Sequence, residues 1–96
     1  MMTSLGVSER EAALETLPNW HYSAARRALH RTLTFGDFAE ALSAMVRIGM
    51  AADKADHHPE WCNIFNRVDI WLTTHEVDDV STRDIALAAT IDSLFV

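Results

Sequence analysis

The chain reads as an α+β domain: a two-layer sandwich in which a four-stranded antiparallel sheet carries three helices on one face, in the order αββαββα. Two stretches of period-two apolar alternation give the strands, and three stretches opened by helix-capping patterns give the helices. At 96 residues the chain fits a single domain, residues 1–96, with one modest core.

The first helix is expected from Ser8-Glu9-Arg10-Glu11, where a hydroxyl precedes a carboxylate by three residues and Ala12 to Leu17 continue with helix formers. Pro18-Asn19 ends it. From Trp20 to Phe35 the period becomes two: Leu29, Leu33 and Phe35 alternate with His30, Thr32 and Thr34, and Arg31 shares the apolar face. Two strands are expected there, meeting near Arg26-Arg27. Asp37 then precedes Glu40 in capping spacing, and Phe38, Leu42, Met45, Val46, Gly49 and Ala52 recur at helical intervals through about Lys54. Pro59 prevents continuation. Trp61 to Thr74 splits near Asn66-Arg67, with Val68, Ile70, Leu72 and Thr74 alternating against Asp69, Trp71, Thr73 and His75, which predicts a hairpin. Ser81-Thr82-Arg83-Asp84 caps a last helix that carries Ile85, Ala88, Ile91, Leu94 and Phe95 on one face.

In this arrangement the helices cover one sheet face, and the other is expected to carry Trp61, Phe65 and Trp71. That is more aromatic surface than a small monomer leaves open, so self-association is expected. The formal charge is -6 and the eight Lys and Arg are scattered, which argues against direct nucleic-acid binding or an anionic membrane surface. No window reaches the roughly 18 apolar residues of a spanning helix. Cys62 is the single cysteine and cannot close an internal disulfide, and no export signal opens the sequence, so a reducing cytoplasm is the expected compartment.

A hairpin sets the start of its first strand beside the end of its second. His57-His58, just before the first strand, should therefore lie near His75, at the end of the second. Asp84 follows one short loop later at a helix N-terminus, and Asp53 lies in the helix end leading into His57. Imidazoles titrate near neutral pH, so such a cluster suits proton transfer. Adjacent His57 and His58 point to different sides of an extended segment and should differ in task. Plainer readings exist for each: the histidines as loop or capping residues, Asp84 as a helix cap, Asp53 as a solvated helix residue, Trp61 and Phe65 as packing. A zinc or iron site is the chemical rival, but adjacent histidines fit one metal poorly and no helical His-x-x-x-His pair occurs. A metal site is therefore not expected. Neither a glycine-rich phosphate loop nor a Cys–His nucleophile spacing is present.

The run Asp53-Lys54-Ala55-Asp56-His57-His58-Pro59-Glu60-Trp61, followed by Asn63-Ile64-Phe65-Asn66, Thr74-His75 and Asp84, resembles the signature of the pterin-4a-carbinolamine dehydratases. An acidic residue four before His57, the His-His-Pro triplet, an aromatic at Phe65, a histidine ten residues on and an aspartate nine after that all match. The likeness extends to Leu17-Pro18-Asn19-Trp20, Phe35 through Phe38 and the final helix. It implies the same α+β fold, a dimer or tetramer, and a cofactor-free elimination of water from 4a-hydroxytetrahydropterin to give quinonoid dihydropterin. By resemblance His57, His58 and His75 bind the pterin and move protons, Asp84 orients or charges a histidine, and Asp53, Pro59 and Trp61 contribute to the substrate pocket. The family pattern usually has glycine where Asp78-Asp79 precede Val80 here, which puts the loop shape in question, and Phe65 stands where tyrosine is common. The rival function is a noncatalytic interaction module, since animal members also bind a transcription factor and related chains act in assembly. The intact His57, His58, His75 and Asp84 set favours the enzyme.

Overall fold

The structure, a computed structural model, describes residues 3–95. The order along the chain is α1 (Val7–Leu14), β1 (His21–Ser23), β2 (Ala28–Thr34), α2 (Phe38–Lys54), β3 (Glu60–Ile64), β4 (Arg67–Leu72), a 3-10 turn (His75–Val77) and α3 (Thr82–Leu94). The four strands form one antiparallel sheet in the order β1-β2-β4-β3, so the two hairpins join through the non-sequential β2–β4 pair.

Register decides which side chains meet the helices. Leu29 pairs with Leu72, Arg31 with Ile70 and Leu33 with Val68, and cross-strand partners share a face. These leucines, Val68 and Ile70 are buried with Leu87, Ala88 and Ile91 of α3, and Leu14 of α1 packs against the same cluster. Each side chain of that size contributes about 1.5–3 kcal/mol when fully buried. Arg31 does share this face, as its position in the alternation predicts, and its guanidinium pairs with Asp92 of α3. Asp92 also accepts the Trp20 indole N–H at 2.8 Å, so the inward charge has a fixed partner.

Helix α1 starts earlier than the Ser8 pattern predicts. Gly6 is the N-cap, and Glu9 reaches back to accept the Gly6 N–H at 3.1 Å, leaving Ser8 inside the first turn. The Leu5 N–H donates to the Val80 carbonyl at 2.9 Å, which fixes where the chain enters the helix. Helix α2 starts as expected, with Asp37 accepting from the Glu40 N–H at 2.8 Å. Its inner face shares only Ala52 of the fully buried residues with the expected one: Ala41, Ala44, Ile48 and Ala52 are buried, whereas Phe38, Leu42, Val46 and Met50 are exposed.

The expected placement of aromatics on the open face is also corrected. Trp61 pairs with Ile70 in register and so points to the helix side, where its ring tip is 3.6 Å from the space a side chain at Gly49 would fill. Phe65 occupies the first position of the two-residue β3–β4 turn at φ 50, fully outside the sheet. Trp71 alone of the three lies on the open face, stacked on His30 with centroids 4.8 Å apart and covered by the Arg26 guanidinium at 3.7 Å. No helix is long and apolar enough to cross a membrane among the described residues.

Candidate active site

The end of α2 sets the position of His57. Asp56 adopts the left-handed conformation at φ 52, the Asp56 N–H donates to the Asp53 carbonyl at 3.1 Å, and the His57 N–H donates to the Ala52 carbonyl at 3.1 Å. This is the paired hydrogen-bond pattern of a Schellman motif, with an aspartate where glycine is commonest. It turns the chain sharply, so that His57 points back under the sheet end and His58 points out. Pro59 therefore follows a helix that has already ended.

His57 is buried, and its Nε2 lies 2.6 Å from Oδ1 of Asp84, whose side chain is wholly inaccessible. Asp84 sits in the first turn of α3, and its Oδ2 accepts the Ser81 N–H at 2.9 Å, completing the predicted capping box. The same oxygen accepts the Thr74 hydroxyl at 2.7 Å. One carboxylate thus caps a helix and holds an imidazole. Because Asp84 accepts from Nε2, the proton of a neutral His57 sits there, and Nδ1 is the basic nitrogen. Every fully buried side-chain polar atom among the described residues has a partner. Nδ1 has no hydrogen-bond partner among the described residues, so this nitrogen is not fully buried and meets solvent.

That meeting point is a depression of about 150 Å³ lined by Asp56, His57, His58, Thr73, His75, Glu76 and Arg83. The three predicted histidines therefore converge, with Asp84 directly behind His57. His75 lies beyond β4, in the 3-10 turn, rather than in the strand as the alternation predicts. Its Nε2 is 3.5 Å from Glu60, whose other oxygen is held by Arg26 at 3.1 Å. His58 is mostly exposed, with Nε2 3.4 Å from the still more open Asp53. Asp53 thus stands beside the site, and Pro59 and Trp61 are not among the lining residues.

Thr73 and Arg83 line the depression, and Thr74 and Ser81 stand behind it at Asp84, without having been singled out as site residues from the sequence. Arg83 and Glu76 face each other at 3.5 Å at the rim. Thr74 had a visible signal, a hydroxyl at the inward position of an otherwise apolar alternation. The Asp78-Asp79 loop that departs from the family pattern closes without glycine: Asp78 takes the left-handed conformation at φ 53 and pairs with Arg27 at 2.7 Å, and Asp79 accepts the Tyr22 hydroxyl at 2.9 Å. Burial, together with this bond to Asp79 and the charge behind it, raises the Tyr22 hydroxyl above its ordinary pKa.

A larger groove of about 430 Å³ lies between α2 and the end of α3, lined by residues that include Phe35, Ala44, Arg47 and Phe95. Its charged groups are already engaged: Asp37 and Glu40 accept backbone N–H groups at the start of α2, and Arg47 donates to the Leu94 carbonyl at 2.9 Å. The smaller depression is the one with convergent titratable groups. Among the described residues no three His, Cys, Asp or Glu side chains are disposed to hold a metal ion.

Residues 3–94 match the family model described as pterin 4 alpha carbinolamine dehydratase. A protein of Rhizorhabdus wittichii, named provisionally as a pterin-4-alpha-carbinolamine dehydratase, is 50% identical over 86 residues, covering 90% of this chain and 89% of its own. One of Burkholderia orbicola with the same provisional name is 48% identical over 92 residues, 96% of this chain and 90% of its own. A crystal structure called a transcriptional coactivator/pterin dehydratase, from Brucella melitensis, superposes with a TM-score of 0.90 at 38% identity, covering 95% of this chain and 97% of that one. Fold, histidine cluster and sequence likeness agree along nearly the whole chain, which belongs to the pterin-4a-carbinolamine dehydratase family.

Proposed function

We propose that the protein dehydrates 4a-hydroxytetrahydropterin to quinonoid dihydropterin in tetrahydropterin recycling, in the cytoplasm and without a cofactor. The observation that carries the reading is the convergence of His57, His58 and His75 on one depression, with the buried Asp84 carboxylate 2.6 Å behind His57.

The reaction needs an acid and a base around one ring. Loss of the N5 proton frees an electron pair that forms the C=N bond to C4a, while protonation of the 4a-hydroxyl lets it leave as water. Atoms and charge balance without an electron acceptor. His57, fixed by Asp84 with Nδ1 toward the depression, His58 and His75 supply the two proton-transfer groups. Asp53 supports His58, and Pro59 and Trp61 hold the segment that leads from the histidine pair into β3. Arg83 adds a positive charge at the rim.

The test is stopped-flow absorbance of enzymatically generated 4a-hydroxytetrahydropterin decaying in buffer, with wild-type protein and with His58→Ala. Wild type should accelerate the decay, and a folded His58→Ala protein should lose about tenfold to a hundredfold or more of that acceleration. Equal decay with wild type and buffer rejects the reading.

Self-association as a homodimer or homotetramer belongs to the same proposal. Its support is the stripe Phe38, Leu42, Val46 and Met50 along α2, each between 47% and 69% exposed. That surface and the name of the Brucella relative also favour a second reading, an interaction module working beside or instead of catalysis. A partner retained by the inactive His58→Ala protein would separate the two roles.

A further inference from the structure

We propose that Thr74 and Ser81 are positioning residues whose hydroxyls, acting in series, lock the Asp84 carboxylate and thereby hold His57 in the single tautomer that presents Nδ1 to the depression. The proposal rests on the dehydratase reading for its consequence in turnover, and its primary readout needs no turnover.

The hydroxyls form a directed chain. Thr74 Oγ1 donates to Asp84 Oδ2 at 2.7 Å, which uses its only proton. Its 2.6 Å contact with Ser81 Oγ must then run the other way, with Ser81 donating. Ser81 Oγ in turn accepts the Arg83 backbone N–H at 3.2 Å. Thr74 is 1% exposed and Ser81 and Asp84 are 0% exposed, so water cannot replace any of these bonds.

With Oδ2 engaged by Thr74 and by the Ser81 N–H, Oδ1 is the oxygen left for His57. Rotation of the carboxylate would break two buried hydrogen bonds at once. Loss of the Thr74 hydroxyl removes one restraint on Oδ2 and leaves the Ser81 proton without its acceptor. With its side-chain donor gone the carboxylate is held at Oδ2 by the Ser81 N–H alone and can turn, freeing His57 to exchange its tautomers. Thr74 is the N-cap residue of the 3-10 turn, but its side chain makes no capping hydrogen bond there, and α3 is capped by Ser81, so the Thr74 side chain can be changed without removing a side-chain cap.

The experiment compares wild type, Thr74→Val and Thr74→Ser by long-range ¹H–¹⁵N correlation of the imidazoles and by steady-state dehydration. Wild type and Thr74→Ser should each give one His57 tautomer, Nε2–H, and Thr74→Val a mixture. In Thr74→Val kcat should fall about tenfold to a hundredfold with KM within about threefold, and Thr74→Ser should recover most of it. If Thr74→Val does not fold, Thr74→Val with Ser81→Gly removes both hydroxyls while keeping a residue tolerated at an N-cap, and the same tautomer mixture is expected. A folded variant of either kind with His57 wholly as Nε2–H overturns the proposal, whatever its turnover. A tautomer mixture in the variant of a protein whose wild type is inactive would leave positioning standing and reject the dehydratase reading.

Discussion

Asp69 and Asp84 are two hydrogen-bonded carboxylates with opposite surroundings. Asp69 lies on the open sheet face. Burial alone would raise its pKa, but hydrogen bonds from Thr32 at 2.7 Å and His30 at 3.1 Å, with the Arg67 charge, outweigh burial and hold it below the ordinary range. A carboxyl lowered in the native state contributes stability that is fully present above its unfolded pKa and is lost as pH falls through its folded value. Asp69→Asn should therefore cost about 1–2 kcal/mol in urea unfolding at pH 7, shrinking toward zero below the folded pKa of Asp69. A cost that stays constant down to pH 2 would contradict this assignment. Asp84 was legible as a cap from Ser81 three residues earlier, and as a site residue from topology. The family resemblance implied that it orients a histidine; the Thr74 hydroxyl bonded to its carboxylate was not legible, because local alternation treats Thr74 as one more strand position.

Among the elements, α2 departs furthest from its sequence pattern. The large apolar residues Phe38, Leu42 and Val46 repeat at helical spacing, yet the face that meets the sheet is Ala41, Ala44, Ile48 and Ala52. Small residues let the helix approach the strands closely, and the periodicity of the large ones marks a second apolar face. A core alone does not require that second stripe; its role in self-association is testable. Sedimentation equilibrium should give a multiple of 10.8 kDa for wild type, and Val46→Glu should shift the mass toward the monomer while leaving the fold intact. A concentration-independent wild-type monomer, or an unchanged mass for Val46→Glu, would reject the α2 interface. The capping patterns of α2 and α3 were readable because Asp37 and Ser81 act within three residues. The α1 start was misplaced because Glu9 reaches back to Gly6, a competing local bond of the same kind.

At the scale of the molecule, two hairpins and three helices could be read from period and capping, and the meeting of His57-His58 with His75 follows from hairpin geometry alone. The central β2–β4 pairing could not be read this way, since it joins segments about 38 residues apart and is settled by which strands share the buried face. The β1–β2 hairpin, by contrast, sets His21 opposite His30 and builds a second imidazole pair: His30 Nδ1 lies 3.2 Å from His21 Nε2 on the open face, apart from the depression. The five histidines thus divide into a site set and an internal control. The most direct measurement is a titration of the protein with a stable dihydropterin, followed through all five imidazole resonances. His57, His58 and His75 should shift with one saturation curve while His21 and His30 stay in place; no shift in the first three, or a shift confined to the other two, would contradict a pterin site at the His57–Asp84 pair.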